Sequence, residues 1–366
     1  MIAPKLRFKE FDGDWTLQNL GDSFSLISGY AFPSSSSVDV GARWLKIADV
    51  GIQEMTPNNP SYLPLEYLDK YSQFIVSKND YVIALTRPIL NKKLKIAKVG
   101  ELYDGALLNQ RVAKIYSKTK DLDFIYSLLQ KSKTVEELEN SIAGTDPPNL
   151  SLNDVKEIKL GFPSKEEQMK IASFLSAVDE KISQLTRKHQ LLSQYKQGMM
   201  QKLFSQQIRF KADDGSEFEE WEILKFKDVI TIKYGKDHKK LKDGNIPVLG
   251  TGGIMRYVES YLYDGESILI GRKGTIDKPQ FISGKFWTVD TLFYTEIGEK
   301  IRPKFAFQQL LLVNWLNLNE ATGVPSLNTT SIGNIELKVP CLEEQTKIAN
   351  FLSAIDQKIE VVAQQI

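Results

Sequence analysis

The sequence predicts an α+β protein made from one unit used twice, a globular domain followed by a long helix. Two observations predict it. Residues 163–182 read Pro-Ser-Lys-Glu-Glu-Gln-Met-Lys-Ile-Ala-Ser-Phe-Leu-Ser-Ala-Val-Asp-Glu-Lys-Ile, and residues 340–359 read Pro-Cys-Leu-Glu-Glu-Gln-Thr-Lys-Ile-Ala-Asn-Phe-Leu-Ser-Ala-Ile-Asp-Gln-Lys-Ile. Glu166, Glu167, Gln168, Ile171, Phe174, Leu175 and Asp179 thus return as Glu343, Glu344, Gln345, Ile348, Phe351, Leu352 and Asp356. The ends of the globular parts repeat too. Leu6-Arg7-Phe8-Lys9 returns as Ile208-Arg209-Phe210-Lys211, and Trp15, Asp22 and Gly29 return as Trp221, Asp228 and Gly235. Leu150, Ile158 and Leu160 return as Leu327, Ile335 and Leu337, whereas the middles differ in sequence and length. A repeat on this scale sets the architecture before any finer reading. It divides the chain into a first domain (1–162), a first repeat helix (163–205), a second domain (206–339) and a second, shortened repeat helix (340–366).

The first domain alternates short apolar runs with turns. Trp44-Leu45-Lys46-Ile47, Phe74-Ile75-Val76 and Tyr81-Val82-Ile83-Ala84-Leu85 have strand composition. The serine run 34–37 and Thr56-Pro57-Asn58-Asn59-Pro60 have loop composition. Leu122 to Lys131 and Val135 to Ala143 are helix candidates. The first repeat helix opens after Pro163 with acidic residues in its first turn, and no Pro or Gly interrupts it before Gly198.

Along that helix Ile171, Leu175, Val178, Ile182, Leu185, Leu192, Met199 and Leu203 step by fours and threes, with His189 and Lys196 in the gaps. Ile348, Leu352, Ile355, Ile359, Val362 and Ile366 step the same way in the second. A seam of this period needs a partner helix. The two helices are therefore expected to pack through Ile171, Leu175, Val178, Ile182 and Leu185 on one side and Ile348, Leu352, Ile355, Ile359 and Val362 on the other. The second helix has no counterpart to Leu192, Met199 and Leu203, so that part of the first seam is expected to lack a partner within the chain.

Composition excludes several classes. At 42% hydrophobic and 25% charged, the 366 residues make an ordinary chain of two or three domains. No apolar run is long enough to span a bilayer, and Met-Ile-Ala-Pro-Lys lacks a signal-peptide core, so a cytoplasmic location without membrane contact is expected. A single cysteine, Cys341, precludes an internal disulfide and suits a reducing compartment. His189 and His238, the two histidines, have no ligand-spaced neighbours, so no metal site is expected. The net charge of +1 means that any nucleic-acid-binding surface is local.

One such surface is visible. Between 225 and 285, twelve Lys and Arg stand against seven Asp and Glu, interleaved with aromatics and glycines in Tyr234-Gly235-Lys236, Arg256-Tyr257 and Gly271-Arg272-Lys273-Gly274-Thr275. The comparable polar groups of the first domain are Arg87, Lys92-Lys93 and Asn109-Gln110-Arg111. Tight turns let backbone amides approach phosphates, and Arg, Asn and Gln can read base edges. The same residues could equally solvate loops, and composition leaves both readings open. His238 is either a DNA contact or a solvent-exposed side chain.

The doubled Glu-Glu-Gln-x-Lys-Ile-Ala-x-Phe-Leu-Ser-Ala-x-Asp-x-Lys-Ile helix, each copy following a Pro, resembles the specificity (S) subunit of type I restriction-modification enzymes. Ser28-Gly29-Tyr30-Ala31-Phe32, Leu108-Asn109-Gln110-Arg111-Val112, Leu249-Gly250-Thr251-Gly252-Gly253-Ile254 and Leu269-Ile270-Gly271-Arg272-Lys273-Gly274-Thr275 share the resemblance, which covers essentially the whole chain. It implies two target-recognition domains, each reading one half of a gapped, asymmetric site on double-stranded DNA. It implies an antiparallel coiled coil of the repeat helices that sets the spacer and docks two methyltransferase (M) subunits, with restriction (R) subunits joining through the complex. It implies no catalysis and no cofactor. The expected DNA contacts are Tyr30, Arg87, Lys92, Lys93, Asn109, Gln110 and Arg111 in the first domain. In the second they are Lys236, His238, Arg256, Arg272, Lys273 and Thr275.

The runner-up is a stand-alone DNA methyltransferase or nuclease, and a third reading is a purely protein-binding scaffold, in which the basic loops would not matter. Asp146-Pro147-Pro148-Asn149 imitates an amino-methyltransferase tetrad, but Asn149 stands where an aromatic must stack on the flipped base, and Pro148 matches Pro325, which no acid precedes. Asp146 with Glu157-Ile158-Lys159 imitates a nuclease, yet the second copy offers Glu336-Leu337-Lys338 out of register, as alternating charge on a half-exposed strand does. Gly250-Thr251-Gly252-Gly253 lacks the Gly-Lys-Ser/Thr of a phosphate loop. His189, at a seam position, is read as tuning register.

Overall fold

The computed structural model describes residues 4–57, 60–142 and 147–366. The chain divides into two compact units, Met1–Lys181 and Ile182–Ile366. The continuous first repeat helix, Lys165–Phe204, contributes to both.

Each unit is built on the same frame. In the first, Thr16–Asn19 pairs antiparallel with Lys159–Phe162, and Leu20 N donates to Ile158 O at 2.8 Å. In the second, Glu222–Lys225 pairs with Glu336–Val339, and Phe226 N donates to Ile335 O at 2.8 Å. The main sheet of the first unit is four antiparallel strands in the order Ser25–Ser28, Val112–Tyr116, Tyr81–Ala84, Ile96–Lys98. Its counterpart runs Ile230–Tyr234, Leu292–Ile297, Ser267–Gly271, Gln280–Ile282. Tyr81–Ala84 and Ser267–Gly271 are buried along their whole length, which is why both are unbroken runs of small or apolar residues.

A smaller sheet follows the same plan in both units. Ala42–Leu45 pairs antiparallel with Tyr62–Leu63 and parallel with Leu107–Leu108. Asp243–Gly250 pairs antiparallel with Gly253–Val258 and parallel with Lys285–Thr288. The middles that share no sequence therefore share topology.

The Glu-Glu-Gln motif fastens each repeat helix to its own unit. The buried Glu167 carboxylate accepts from Arg7 Nε and Nη2, both at 2.6 Å, and Glu344 does the same for Arg209. Trp15 Nε1 donates to Glu167 and Trp221 Nε1 to Glu344, at 3.3 and 3.0 Å. Gln168 and Gln345 donate to the carbonyls of Pro163 and Pro340. Their side-chain oxygens accept from the backbone of Asp121 and Arg302, the residues that open the helices Leu122–Leu129 and Pro303–Leu310. Phe8 stands edge-on to Phe174, and Phe210 to Phe351, at 5.7 Å in each unit.

Several expectations change. Phe74-Ile75-Val76 is not a strand: Ser72–Phe74 is a 3-10 turn and Ile75 makes one isolated bridge to Leu107, because Phe74 joins an aromatic cluster instead of a ladder. The strand through Trp44 stops at Leu45, where Asp49 accepts from Lys46 N at 2.7 Å and starts a turn. The helix expected over Val135 to Ala143 runs Ser132–Ser141; Ala143, Asn58, Asn59 and Asp146 lie outside the described residues. Leu203 and Met199, expected to lack a partner, do not stand free. Leu203 is 2% exposed with Met200 and Phe204 in the core of the second unit, because this end of the helix packs against Trp221 and Phe305; Met199 is half-buried.

The seam residues separate by environment. Ile348, Leu352, Ile355, Val362 and Leu185 are buried, Ile359 packs on the core of the second unit, and Ile171 packs on that of the first. Leu175 is half-buried, while Val178 and Ile182 are 38% and 40% exposed. His189 is half-buried.

Candidate nucleic-acid interface

In each unit three loops meet at one end of the main sheet, and a glycine permits the meeting. A Cβ on Gly29 would lie 2.1 Å from Leu108 O, and one on Gly235 would lie 1.9 Å from Val289 O. Only a bare backbone fits. The loop beyond Gly29 then bonds to the turn at 109–111: Tyr30 N donates to Leu108 O and Gln110 N to Tyr30 O, both at 3.0 Å. In the second unit Lys236 N donates to Thr288 O at 2.9 Å, so Lys236 occupies the place of Tyr30.

The turn at 109–111 has its own counterpart. Asn109 N donates to Leu45 O and Val112 N to Asn109 O; Val289 N donates to Leu249 O and Leu292 N to Val289 O. Asn109, Gln110 and Arg111 thus correspond to Val289, Asp290 and Thr291. Sequence reasoning missed Asp290 and Thr291 because no side chain matches across the two turns; the hydrogen-bond pattern alone aligns them. The Asn109 side-chain oxygen accepts from Arg111 N at 3.1 Å, which holds the turn and leaves Gln110 and Arg111 exposed.

The third loop leaves the buried central strand. Leu85 N donates to Arg111 O, and Arg87 N to Pro148 O at 2.7 Å; Arg272 N donates to Thr291 O, and Gly274 N to Pro325 O at 2.9 Å. Arg87 therefore matches Gly274, and both have positive φ, 46° and 96°. A left-handed arginine stores strain of about 1 kcal/mol or more, held here by the bond to Pro148. Pro148 and Asn149 are the inner wall of this loop, where Thr86 Oγ1 donates to Asn149 Oδ1 at 2.6 Å. Directly after it, Leu90 pairs with Lys93 across Asn91 and Lys92, both left-handed, so a tight hairpin carries exposed Lys92 and Lys93 at its tip.

The surfaces differ in chemistry. Around Tyr30, which is 40% exposed, the rings of Tyr71, Phe32 and Phe74 lie 4.6, 5.1 and 5.6 Å away, forming an aromatic platform beside exposed Arg87, Gln110 and Arg111. The second unit instead has a recess of about 720 Å³ lined by His238, Gly250–Gly253, Met255, Asp290 and Thr291. A neighbouring recess of about 360 Å³ is lined by Arg272, Lys273, Asp290, Thr291 and Ser326. Arg272 is positioned by Asp290 O at 3.2 Å and lies 5.5 Å over the Tyr234 ring. His238 Nδ1 is buried without a hydrogen-bond partner.

Two expected contacts stand apart. Arg256 donates to Asp243 at 2.6 Å and to Leu241 O at 3.1 Å, an ion pair whose carboxylate stays open to solvent. Thr275 is exposed beyond the Arg272–Lys273 turn, with its carbonyl against Gly271. Gly250-Thr251-Gly252-Gly253 is the turn of the hairpin between Asp243–Gly250 and Gly253–Val258. Glu336-Leu337-Lys338 alternates out and in along an edge strand. Among the described residues no group of three His, Cys, Asp or Glu could hold a metal, and no helix is long and apolar enough to cross a membrane.

A family model described as the type I restriction modification DNA specificity domain matches residues 13–193 and again 218–366. The chain belongs to this family. The type I restriction enzyme MjaVIII specificity subunit of Methanocaldococcus jannaschii is 31% identical over 209 residues, which are 57% of this chain and 49% of that protein. The EcoAI specificity subunit of Escherichia coli is 27% identical over 190 residues, 51% of this chain and 32% of that one. The chain thus spans about half or less of these relatives' length. The crystal structure of the type I restriction-modification system S subunit from M. genitalium superposes with a TM-score of 0.73 at 18% identity, over 99% of this chain and 94% of that one. At that identity the likeness shows the fold.

Proposed function

We propose that the chain is the non-catalytic DNA-recognition subunit of a type I restriction-modification complex, reading a gapped bipartite target with one unit on each half. One observation carries this reading: an identical three-loop frame presents Tyr30, Gln110 and Arg111 in one unit and Lys236, Asp290 and Thr291 in the other. A kept frame with changed contents suits two readers of different sequences. Arg and Gln suit purine edges, Asp suits the cytosine amino group, and the lysines suit phosphates.

The repeat helices act as an antiparallel coiled coil that sets the spacer and docks two methyltransferase subunits, through which restriction subunits join. The Lys196–Asp356 ion pair at 2.6 Å and the burial of Leu185 and Val362 support that pairing. The complex works in the cytoplasm, and this chain carries no cofactor. The test is duplex affinity against salt, with either half of a selected site scrambled, with and without methyltransferase subunits. Scrambling each half should weaken binding separately. Equal affinity for every duplex in both settings would refute the reading, and methyl transfer or cleavage by the chain alone would favour a stand-alone enzyme.

A further inference from the structure

The recess beside His238 in the second unit presents one acceptor and one donor on walls that are already braced. Lys239 N donates to Asp237 Oδ1 and Leu241 N to His238 O, both at 3.1 Å, which folds the loop carrying the imidazole. Just before it, Trp287 Nε1 donates to Lys236 O at 2.9 Å. Gln280 Nε2 props the hairpin turn through Gly250 O at 3.2 Å, and Arg272 Nη1 holds the turn at 289–291 through Asp290 O at 3.2 Å.

These bonds use backbone atoms of His238 and Asp290 and leave both side chains unspent. The Asp290 side chain is exposed and lines the recess, and among the described residues its carboxylate has no hydrogen bond or ion pair. An ionised carboxylate can only accept. His238 lines the same recess, with Nδ1 shut off from solvent and without a partner. A ring proton on Nδ1 would be a buried donor with no acceptor, which folded proteins avoid more strictly than an unused lone pair. The proton therefore belongs on Nε2, the nitrogen left to meet a ligand, and there the ring donates.

In the middle of the major-groove edge, every base pair shows one amino group beside one keto oxygen: cytosine N4 and guanine O6, or adenine N6 and thymine O4. An acceptor suits the amino group and a donor suits the keto oxygen. Reversing the pair sets the amino group against the imidazole N–H and the keto oxygen against the carboxylate. We propose that Asp290 and His238 together read the amino–keto orientation of one base pair in the second half-site. Asp290 takes the amino group of cytosine or adenine, and His238 Nε2–H takes the keto oxygen of the guanine or thymine opposite. This rests on the reading of the chain as a DNA-recognition subunit and adds which feature of the base pair is read. The first unit contains no histidine and carries Gln110 at the matching turn, so the rule belongs to the second half-site alone.

The test begins with site selection by the whole chain together with methyltransferase subunits. Each base pair of the second half-site is then reversed in turn and the affinity measured. At one position, reversal of C·G to G·C or of A·T to T·A should weaken binding on the order of tenfold, and exchange between C·G and A·T should cost less. Asp290→Asn, whose amide can turn to donate or to accept, should bring the two orientations to within about twofold there. His238→Ala should lessen the same penalty at the same position. A base lacking only the amino group, pyrimidin-2-one for cytosine or purine for adenine, should weaken the parent chain and leave Asp290→Ala unaffected. An unchanged preference in the first half-site serves as the control for folding of each variant. A reversal penalty that survives both substitutions, or effects of the two at different positions, would overturn the proposal and leave DNA recognition standing. Absence of any selected site with the parent chain would overturn both.

Discussion

Arg209 and Glu344 form a two-point ion pair, Nε to Oε1 at 3.1 Å and Nη2 to Oε2 at 2.8 Å, with Glu344 wholly removed from solvent. The pair joins the start of the second globular part to the start of its helix. A buried pair need not outdo an apolar replacement, but removing one partner leaves an uncompensated charge. Glu344→Ala should destabilise the second unit by roughly 3 kcal/mol, and Glu344→Leu with Arg209→Met should recover most of that. Hydrogen exchange followed by mass spectrometry can resolve the two units. Faster exchange in the second unit alone is expected, and Glu167→Ala should show the converse.

Recognition should separate by unit. Gln110→Ala, Arg111→Ala or Arg87→Ala should relax one half of the selected site, and Lys273→Ala, Arg272→Ala or Asp290→Ala the other. A lost base-reading pair should cost roughly 1–3 kcal/mol at one position, whereas a lost phosphate contact should weaken all sequences alike. Arg256→Ala belongs with the second set: its ion pair to Asp243 is open to solvent, so the guanidinium can exchange that partner for DNA. Site selection from a random library reads all of these; a change in both halves from one substitution would contradict two independent readers.

The repeat helices as ruler can be tested by insertion. Residues 176–184 are exposed on all sides, so a heptad added after Lys181 keeps the seam in phase without entering a core. It lengthens the helix by about 10 Å, near the rise of three base pairs at about 3.4 Å each. Three base pairs also turn the duplex by roughly 100°, which the insertion does not supply. Selection over spacer lengths should therefore find a displaced or weakened optimum with both half-sites intact. An unchanged optimum at unchanged affinity would mean the helices do not set the spacing.

Chemistry should be absent from the isolated chain. With labelled S-adenosylmethionine and a cognate duplex, the purified protein should transfer no methyl group and leave the DNA uncut. Transfer that Asp146→Ala abolishes would reassign the chain to the enzymes.

Much of this protein could be read from its residues. The duplication was legible because each repeated segment meets a local demand: a helix start after a proline, an apolar period, a glycine where two backbones touch. The long helix Lys165–Phe204 and the two glycines at the loop junctions follow from such demands. The polar loops were legible as composition, which marks where charge gathers but not which side chains already have a partner in the fold, as Arg256 has in Asp243.

What the tertiary structure decided were relationships between residues far apart in the chain. The second glutamate of the repeated motif reads as a surface acid in a helical first turn. It is buried because Arg7 or Arg209 arrives from the start of the preceding domain, 160 or 135 positions away. Gln110–Arg111 and Asp290–Thr291 share no side chain, and only the strand pairing superposes them. Leu203 looks like the tail of a seam, yet with Met200 and Phe204 it completes the core of the unit that follows. Periodicity reports which face of a helix is apolar; what covers that face depends on where the rest of the chain folds to.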